Sequence, residues 1–535
     1  MRNANRLATS LSTALVLALP AANARAERQK GATVVYADHS DVSKPLRDIK
    51  PIPPDWYGHL DKREKEKPKA FRGDHQSDTD GALQTSPGPL VTVTPGASFE
   101  GVGEPNYSVQ YAPPDTNGSV GRTIGGTGYY VQWVNVAFAI FNKATGAMVY
   151  GPANGNTLWS GFGDARCAND NDGDPIVMYD KMADRWVFTQ FSVSAQPFKQ
   201  CVAVSQTSNP LGAYNRYSFS YGNLFNDYPK IGVWPDAYYI NYNMFLNGQS
   251  FAGGQTCAMD RTAMLAGAAA TQQCFIVTND GGMLPTDLDG TILPPAGTPN
   301  FVLSFGTNSL NLYKFHVDWA NPANSTFTGP TVLPVASFSM ACGGGTCVPQ
   351  SNTQNKLDSL GDRLMYRLAY RRFADGHEAL VTNHSVAVVS GGRGKKNNQT
   401  GVRWYEVRNP NGAATVYQQG TYAPDSSYRW MGSVAMDKAG NIGAGYSVSS
   451  SSVRPSIRFT GRGPLDPLGT LGAETNLLTG SGSQTGSLHR WGDYSSLSVD
   501  PDDDCTLWFT TEYLQTTGSF NWSTRIGSFK LNNCQ

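Results

Sequence analysis

One motif returns along this chain with different residues in the same roles. A small or polar cluster opens it, a short apolar strand follows, an aspartate turns the chain, and an aromatic-rich strand comes back. It reads GDPIVMYDKMADRWVFTQFS from Gly173, DYPKIGVWPDAYYINYNMF from Asp227, RWMGSVAMDKAGNIGAGYSVS from Arg429 and GDYSSLSVDPDDDCTLWFTTEYL from Gly492. A looser copy, GDRLMYRLAYRRFADGHEALVTNHSV, begins at Gly361. Asp180, Asp236, Asp437 and Asp500 stand at the turns, where an Asx side chain can bond its own backbone and tolerate turn dihedrals.

A second echo follows the first. CVAVSQTSNPLGAYNRYSFSYG from Cys201, LYKFHVDWANPANSTFTGPTVLPV from Leu312 and VRWYEVRNPNGAATVYQQGTYAPD from Val402 each run as a strand, a turn near Asn-Pro or Ala-Asn-Pro in the first two and Asn-Pro-Asn-Gly in the third, and a returning strand. Two inner and two outer strands make a four-stranded blade, which cannot bury both faces unless neighbours stack on it. Such a repeat predicts an all-β chain, a single β-propeller of about six four-stranded blades over residues 89–535. Blades are expected near 90–160, 161–222, 223–340, 350–424, 428–486 and 488–530. The last lacks a fourth strand after WSTRIGSFKL, so the segment around Leu90-Val91-Thr92-Val93 is expected to complete it and close the ring from the N- and C-terminal ends. Residues 248–300 read as an insertion of surface loops with a short helix in AMDRTAMLAGAAA from Ala258. The competing architecture is two β-sandwiches in series.

Composition agrees with strands: 57 Gly, 32 Pro, 25 Tyr, 23 Phe and 11 Trp leave only 16% charged residues. A formal net charge of zero supplies no bulk attraction to nucleic acid or to an anionic membrane.

The chain starts with Arg2 and Arg6, continues through a stretch from Leu11 to Leu19 broken only by Ser12 and Thr13, and reaches Ala24-Arg25-Ala26. That pattern predicts a signal peptide over 1–26, hence a secreted or periplasmic protein with no membrane span and, as expected here, monomeric. In an oxidising compartment the eight cysteines read as disulfides, Cys167 with Cys201, Cys257 with Cys274, Cys342 with Cys347 and Cys505 with Cys534. Sequence spacing suggests these pairs; other connectivities stay open at this point. Residues 27–88, with the run Lys62-Arg63-Glu64-Lys65-Glu66-Lys67 and prolines 45, 51, 53, 54 and 68, read as an extended arm or linker. The arm contains Arg72-Gly73-Asp74, an adhesion-type tripeptide short enough to arise by chance.

Through NDGDPIVMYDKMADRW, NDYPKIGVWPDAYY, LDSLGDRLMYRLAYR, YRWMGSVAMDKAGNIGAGYS and RWGDYSSLSVDPDDDC the chain resembles a family of largely uncharacterised exported bacterial β-propeller proteins, over most of residues 130–534. The resemblance implies the fold and export and carries over no active-site residue.

Residues that open the inner strands are expected to converge on one axial funnel: Asp174, Asp227, Asp362 with Arg363, Arg429 with Trp430, and Asp493 preceded by His489, Arg490 and Trp491. Asp174, Asp227, Asp493 and His489 are the candidates for acid–base chemistry, since paired carboxylates serve glycoside cleavage. Asp362, Arg363, Arg429, Trp430, Arg490 and Trp491 are the candidates for holding a sugar by hydrogen bonds and ring faces. The plain alternative makes each aspartate a scaffold group that completes hydrogen bonding between blades. Asp170, Asp172 and Asp174, in Asn-Asp-Asn-Asp-Gly-Asp, are candidate Ca²⁺ ligands, although Lys181 stands where an EF-hand loop has its last glutamate. G-x-S-x-G, H-E-x-x-H and the P-loop pattern are missing from the sequence. The function expected is binding, with or without cleavage by a hydrolase or lyase, of an extracellular or cell-wall glycan. The rival is a non-enzymatic module that binds a surface protein.

Overall fold

The computed structural model describes residues 29–53, 63–64, 80–88, 91–388 and 399–535. The expected signal peptide, Arg72-Gly73-Asp74 and most of the charged run at 62–69 lie outside these residues. The described chain is all-β, and its antiparallel meanders make seven four-stranded units. First strands of the units are Asn117–Val120, Gly173–Asp180, Leu224–Val233, Leu284–Asp289, Met365–Arg372, Tyr428–Met436 and Ser496–Val499. Each touches the first strand of the next unit, and the seventh touches the first, so the units run around a closed ring. Units four and five are joined further by parallel pairing of their first strands, Thr286 opposite Leu368 through Asp289 opposite Arg371.

The count corrects the expected six. Residues 223–340 hold two units, not one, and 248–300 is not a surface insertion. Ser250–Met259 and Thr271–Val277 finish the third unit, while Leu284–Asp289 and Asn300–Gly306 begin the fourth. The extra unit escapes the repeat because its first strand, LPTDLD, has no Gly-Asp head, and its return, NFVLSFG, follows only after the long loop over 290–299. The short helix is Arg261–Ala266, capped by Asp260, which accepts from the Ala263 N–H at 2.9 Å, and closed by left-handed Gly267.

Aromatic side chains fill every junction between units. Trp133 meets Phe188, Phe198 meets Phe225, Phe275 meets Phe315, Phe301 meets Tyr370, Tyr422 meets Tyr446, Phe459 stacks on Phe529, and Trp508 meets Tyr130 across the closure, with centroids 4.3–6.2 Å apart. Such pairs add about 0.5–1.5 kcal/mol each beyond the area they bury. Backbones also approach closely: a Cβ on Gly232 would lie 2.3 Å from the Thr286 carbonyl oxygen of the neighbouring unit.

The last unit is completed from the N-terminal side by Val93–Glu100, which pairs with Trp522–Leu531 close to where the sequence places it. The described parts of the arm lie on the outer edges. Gln29–Lys30, Thr33–Tyr36 and His39–Val42 add a fifth strand to units four, three and two in turn, and Leu83–Gln84 runs parallel to the outer strand of unit five. Edge groups that would otherwise invite pairing with another chain are thereby used. Asp80 reaches the fully buried guanidinium of Arg403.

All four expected disulfides form, with Cα separations of 5.8, 4.1, 5.3 and 5.7 Å. Two of them, Cys257–Cys274 and Cys167–Cys201, join neighbouring parts of one unit. Among the described residues no helix is long and apolar enough to cross a membrane.

Candidate active site

The two ends of the first strands differ. At the trailing end, carboxylates pair with cations of other units: Lys181 with Asp289, Arg367 with Asp287 at 3.0 Å and with Asp289, Arg371 with Asp504 at 2.6 Å, and Lys143 with Asp500 at 2.8 Å. These bonds lace the ring together. The Asp502-Asp503-Asp504 tip is bonded as well as partly exposed, with Asp502 held by Lys143 at 2.7 Å and Asp503 accepting from the Thr506 N–H at 2.8 Å.

At the leading end the backbone breaks the ladder. Pairing slips between Gly173 and Ile176, between Asp227 and Lys230, and between Trp430 and Ser433. A non-glycine residue adopts positive φ at or beside each break and at the matching places of units one and seven: Asp115 at +49°, Asp174 at +44°, Tyr228 at +56°, Met431 at +53° and Asp493 at +57°. Such conformations cost of order 1 kcal/mol each, and bulges of this kind re-aim side chains. Polar residues on second strands hold the entering loops: Glu512 accepts from the Gly492 N–H and Asn243 from the Gly282 N–H, both at 2.8 Å.

The result is one mixed cluster. Lys230, wholly buried, puts Nζ 3.5 Å from the Tyr228 ring centroid and 3.8 Å from that of Tyr494, and donates to the Pro229 carbonyl at 2.9 Å. Arg363 lies 4.5 Å from the Tyr228 ring centroid and is bonded by Asp362 at 3.0 Å. Arg490 donates through Nε to Asp493 at 3.1 Å and through Nη2 to its other oxygen. The Tyr494 hydroxyl donates to the Pro175 carbonyl at 3.2 Å, next to Asp174. Asp227 and Asp362 keep partial contact with solvent, while the other members are buried.

Charges in this enclosure perturb one another. Burial, reinforced by the Asp174 carboxylate and opposed by Arg363 and Lys230, pushes the Asp227 carboxyl up to about 7. Burial pulls the Lys230 ammonium down to about 7 against the pull of Asp174 and Asp115. Burial also raises the Glu512 carboxyl well above the usual range, with Asp493 adding to it and the Gly492 N–H opposing it.

Of the residues singled out from sequence, Asp174, Asp227, Asp362, Arg363, Arg490 and Asp493 come together here. Arg429 does not: it turns to Glu474 at 2.8 Å and Asp425 at 2.9 Å in its own unit. Trp430 and Trp491 pack on each other, centroids 5.9 Å apart and both buried, so neither offers a ring face to a ligand. His489 is exposed, with Nδ1 3.0 Å from the Lys356 carbonyl oxygen. Asp170 and Asp172 serve the chain: Asp170 accepts from Ser192 at 2.5 Å, and Asp172 from the Val193 and Ser194 N–H groups at 2.5 and 2.8 Å. Among the described residues no group of three or more His, Cys, Asp or Glu side chains is placed to hold a metal ion.

Lys230, Tyr228, Tyr494 and Asp115 went unmarked in the sequence. A lysine amid the apolar run of YPKIGV is the one signal that could have found the first.

No family model matches the chain and no curated protein matches it. Among solved structures, 51 chains match. The polysaccharide lyase Uly1 is 10% identical with a TM-score of 0.37, covering 94% of this chain and 100% of its own. The α-L-arabinofuranosidase Arb93A from Fusarium graminearum is 10% identical with a TM-score of 0.34, covering 82% and 99%. The endo-arabinase from Bacteroides thetaiotaomicron VPI-5482 is 14% identical with a TM-score of 0.28, covering 53% and 92%. The likenesses are distant.

Proposed function

We propose that this chain is an exported, monomeric seven-bladed β-propeller, of the exported bacterial propeller family that its motifs resemble, which binds an extracellular glycan at the leading end of its ring and hydrolyses it. One observation carries the reading: two neighbouring aspartates, Asp174 and Asp227, sit in an enclosed cluster of tyrosines and cations, and one of them is held up to about 7. Carboxyls set apart in this way divide the labour of glycoside cleavage, because the one that keeps its proton donates it to the leaving oxygen while a charged neighbour serves the other face. Asp227 is the proton donor in this scheme. The glycosidic C–O bond breaks as its proton passes to the departing oxygen, water adds to the anomeric carbon, and the proton that water loses restores the pair. Arg363 and Arg490 hold Asp362 and Asp493 in place by ion pairs.

A panel of polysaccharides incubated with the pure protein tests this, read by reducing-end release and by absorbance of unsaturated uronates. Reducing ends without new ultraviolet absorbance are expected, falling about 100-fold or more in Asp227→Asn. Unsaturated products would make the enzyme a lyase instead, and binding without any turnover would leave it a lectin-like module.

A further inference from the structure

Tyr228 reaches across the middle of the ring. It belongs to the first strand of unit three, yet its ring centroid lies 4.5 Å from the guanidinium of Arg363, which leads into unit five, and 5.9 Å from the ring of Tyr494, which leads into unit seven. A side chain of unit three meets the entries of both only near the axis. Its backbone is held at a φ of +56°, a region that bulky residues rarely enter. Lys230 lies 3.5 Å from the same centroid. These contacts use the ring and not its hydroxyl, because a cation is drawn to the face of phenylalanine as well as to that of tyrosine. The hydroxyl is nonetheless present, buried, and without a hydrogen-bond partner among the described residues. Its charged neighbours are bonded elsewhere, Arg363 to Asp362 and Asp493 to Arg490. Within the fold, then, this oxygen makes no bond that offsets its removal from water. Asp227, the preceding residue, still meets solvent, so an opening lies one position away.

We propose that the Tyr228 hydroxyl is a ligand contact, hydrogen-bonding an uncharged hydroxyl of the sugar unit held at the axis. The proposal rests on the glycan reading above and names the group that fixes the sugar. A phenol is both donor and acceptor, and so is a sugar hydroxyl, so one such group satisfies it on both counts. A ligand carboxylate could use only its donor and an ammonium only its acceptor, and either would be buried as an ion besides.

The experiment compares the whole protein with Tyr228→Phe in two measurements. Without ligand the variant is expected to melt about 1–3 °C above the parent, since it sheds an unpaired buried hydroxyl and keeps the ring. The second measurement is calorimetric titration with xylotetraose, cellotetraose, mannotetraose, galactotetraose and oligogalacturonate. An uncharged sugar that binds the parent is expected to bind the variant about 3–10-fold more weakly, by the same factor at about 20 and about 500 mM salt. A variant that fails to melt above the parent has lost a bond that the fold was using, directly or through water, and one that binds as tightly as the parent has lost no contact. Either result overturns the proposal while glycan binding stands, as does a factor that shrinks with salt, or binding of the galacturonate alone. If no sugar binds, the glycan reading itself fails, and glycerol becomes the probe of the hydroxyl. Saturation transfer to glycerol that is present in the parent and lost in Tyr228→Phe supports the contact, and equal transfer or none overturns it.

Discussion

Replacing Asp227 by asparagine should stabilise this protein, by an amount that grows as pH rises from 3.8 and is complete above about 7. In the unfolded chain the carboxyl ionises near its ordinary 3.8, whereas in the fold burial and Asp174 hold it up to about 7. Below the first value both states carry the proton and the residue is neutral in either. Between the two values the unfolded chain has released it and the folded protein has not, so stability falls as pH rises. Above about 7 both are ionised and the loss is complete. Three pH units of difference correspond to about 4 kcal/mol. Asp227 is still touched by water, which screens it, so about half of that, ~2 kcal/mol, is the figure to expect. Asparagine has the same shape and no charge, so the variant escapes the loss. Melting by differential scanning fluorimetry across this range should show variant and parent within about 1 °C near pH 4, and the variant roughly 2–4 °C higher near pH 8.5. A difference that does not change with pH would refute the assignment of a raised carboxyl to Asp227, and with it the proton donor of the proposed reaction.

Lys230→Met should act with the opposite sign, because burial lowers the ammonium from 10.5 to about 7. The parent loses stability as pH falls through that interval, so the variant should gain most at pH 7 and below and nothing near pH 10.5, read by urea midpoints. Asp80→Ala strips the buried Arg403 guanidinium of its carboxylate and should lower stability by about 3–5 kcal/mol in urea titration; a loss under about 1 kcal/mol would show the arm to be unimportant to the ring. Excess EGTA should leave the melting temperature unchanged, since Asp170 and Asp172 already accept from Ser192, Val193 and Ser194, whereas a rise of several degrees on adding Ca²⁺ would make that turn a metal site.

Much of this architecture could be read from the chain because the repeat encodes it locally. Asp180 and Asp437 do close their hairpins, accepting from Met182 and Ala183 and from Ala439 and Asn441. The disulfides were readable because each joins residues near in sequence. The missed unit shows the limit. Asp287 and Asp289 occupy the first strand of unit four to reach Arg367 and Lys181, and a strand that carries cross-ring ion pairs no longer shows the apolar run that marks its relatives. The same holds at the leading end. Arg429-Trp430 and Arg490-Trp491 look alike in sequence, yet Arg429 is held within its unit by Glu474 whereas Arg490 is bonded by Asp493 at the axis. Which partner an arginine finds depends on a residue 45 positions away in one case and 3 in the other, and no local pattern encodes that.

The two ends of the first strands also explain how the ring tolerates its site. Five residues at positive φ, a buried lysine and the buried Glu512 carboxyl all work against folding at the leading end. At the trailing end, Lys143, Lys181, Arg367 and Arg371 each join different units through buried or half-buried pairs, and aromatic contacts fill all the junctions between. Strain is local to a bulge, but the junctions run the length of each sheet, so strained heads can persist only because the rest of every strand is fixed by its neighbours. It follows that substitutions divide by end. Neutralising Asp227 or Lys230 at the leading end should raise stability, whereas neutralising Arg371 should lower it by leaving Asp504 without its bidentate partner. A site that is relieved when its charges are removed has been retained for chemistry rather than for the fold.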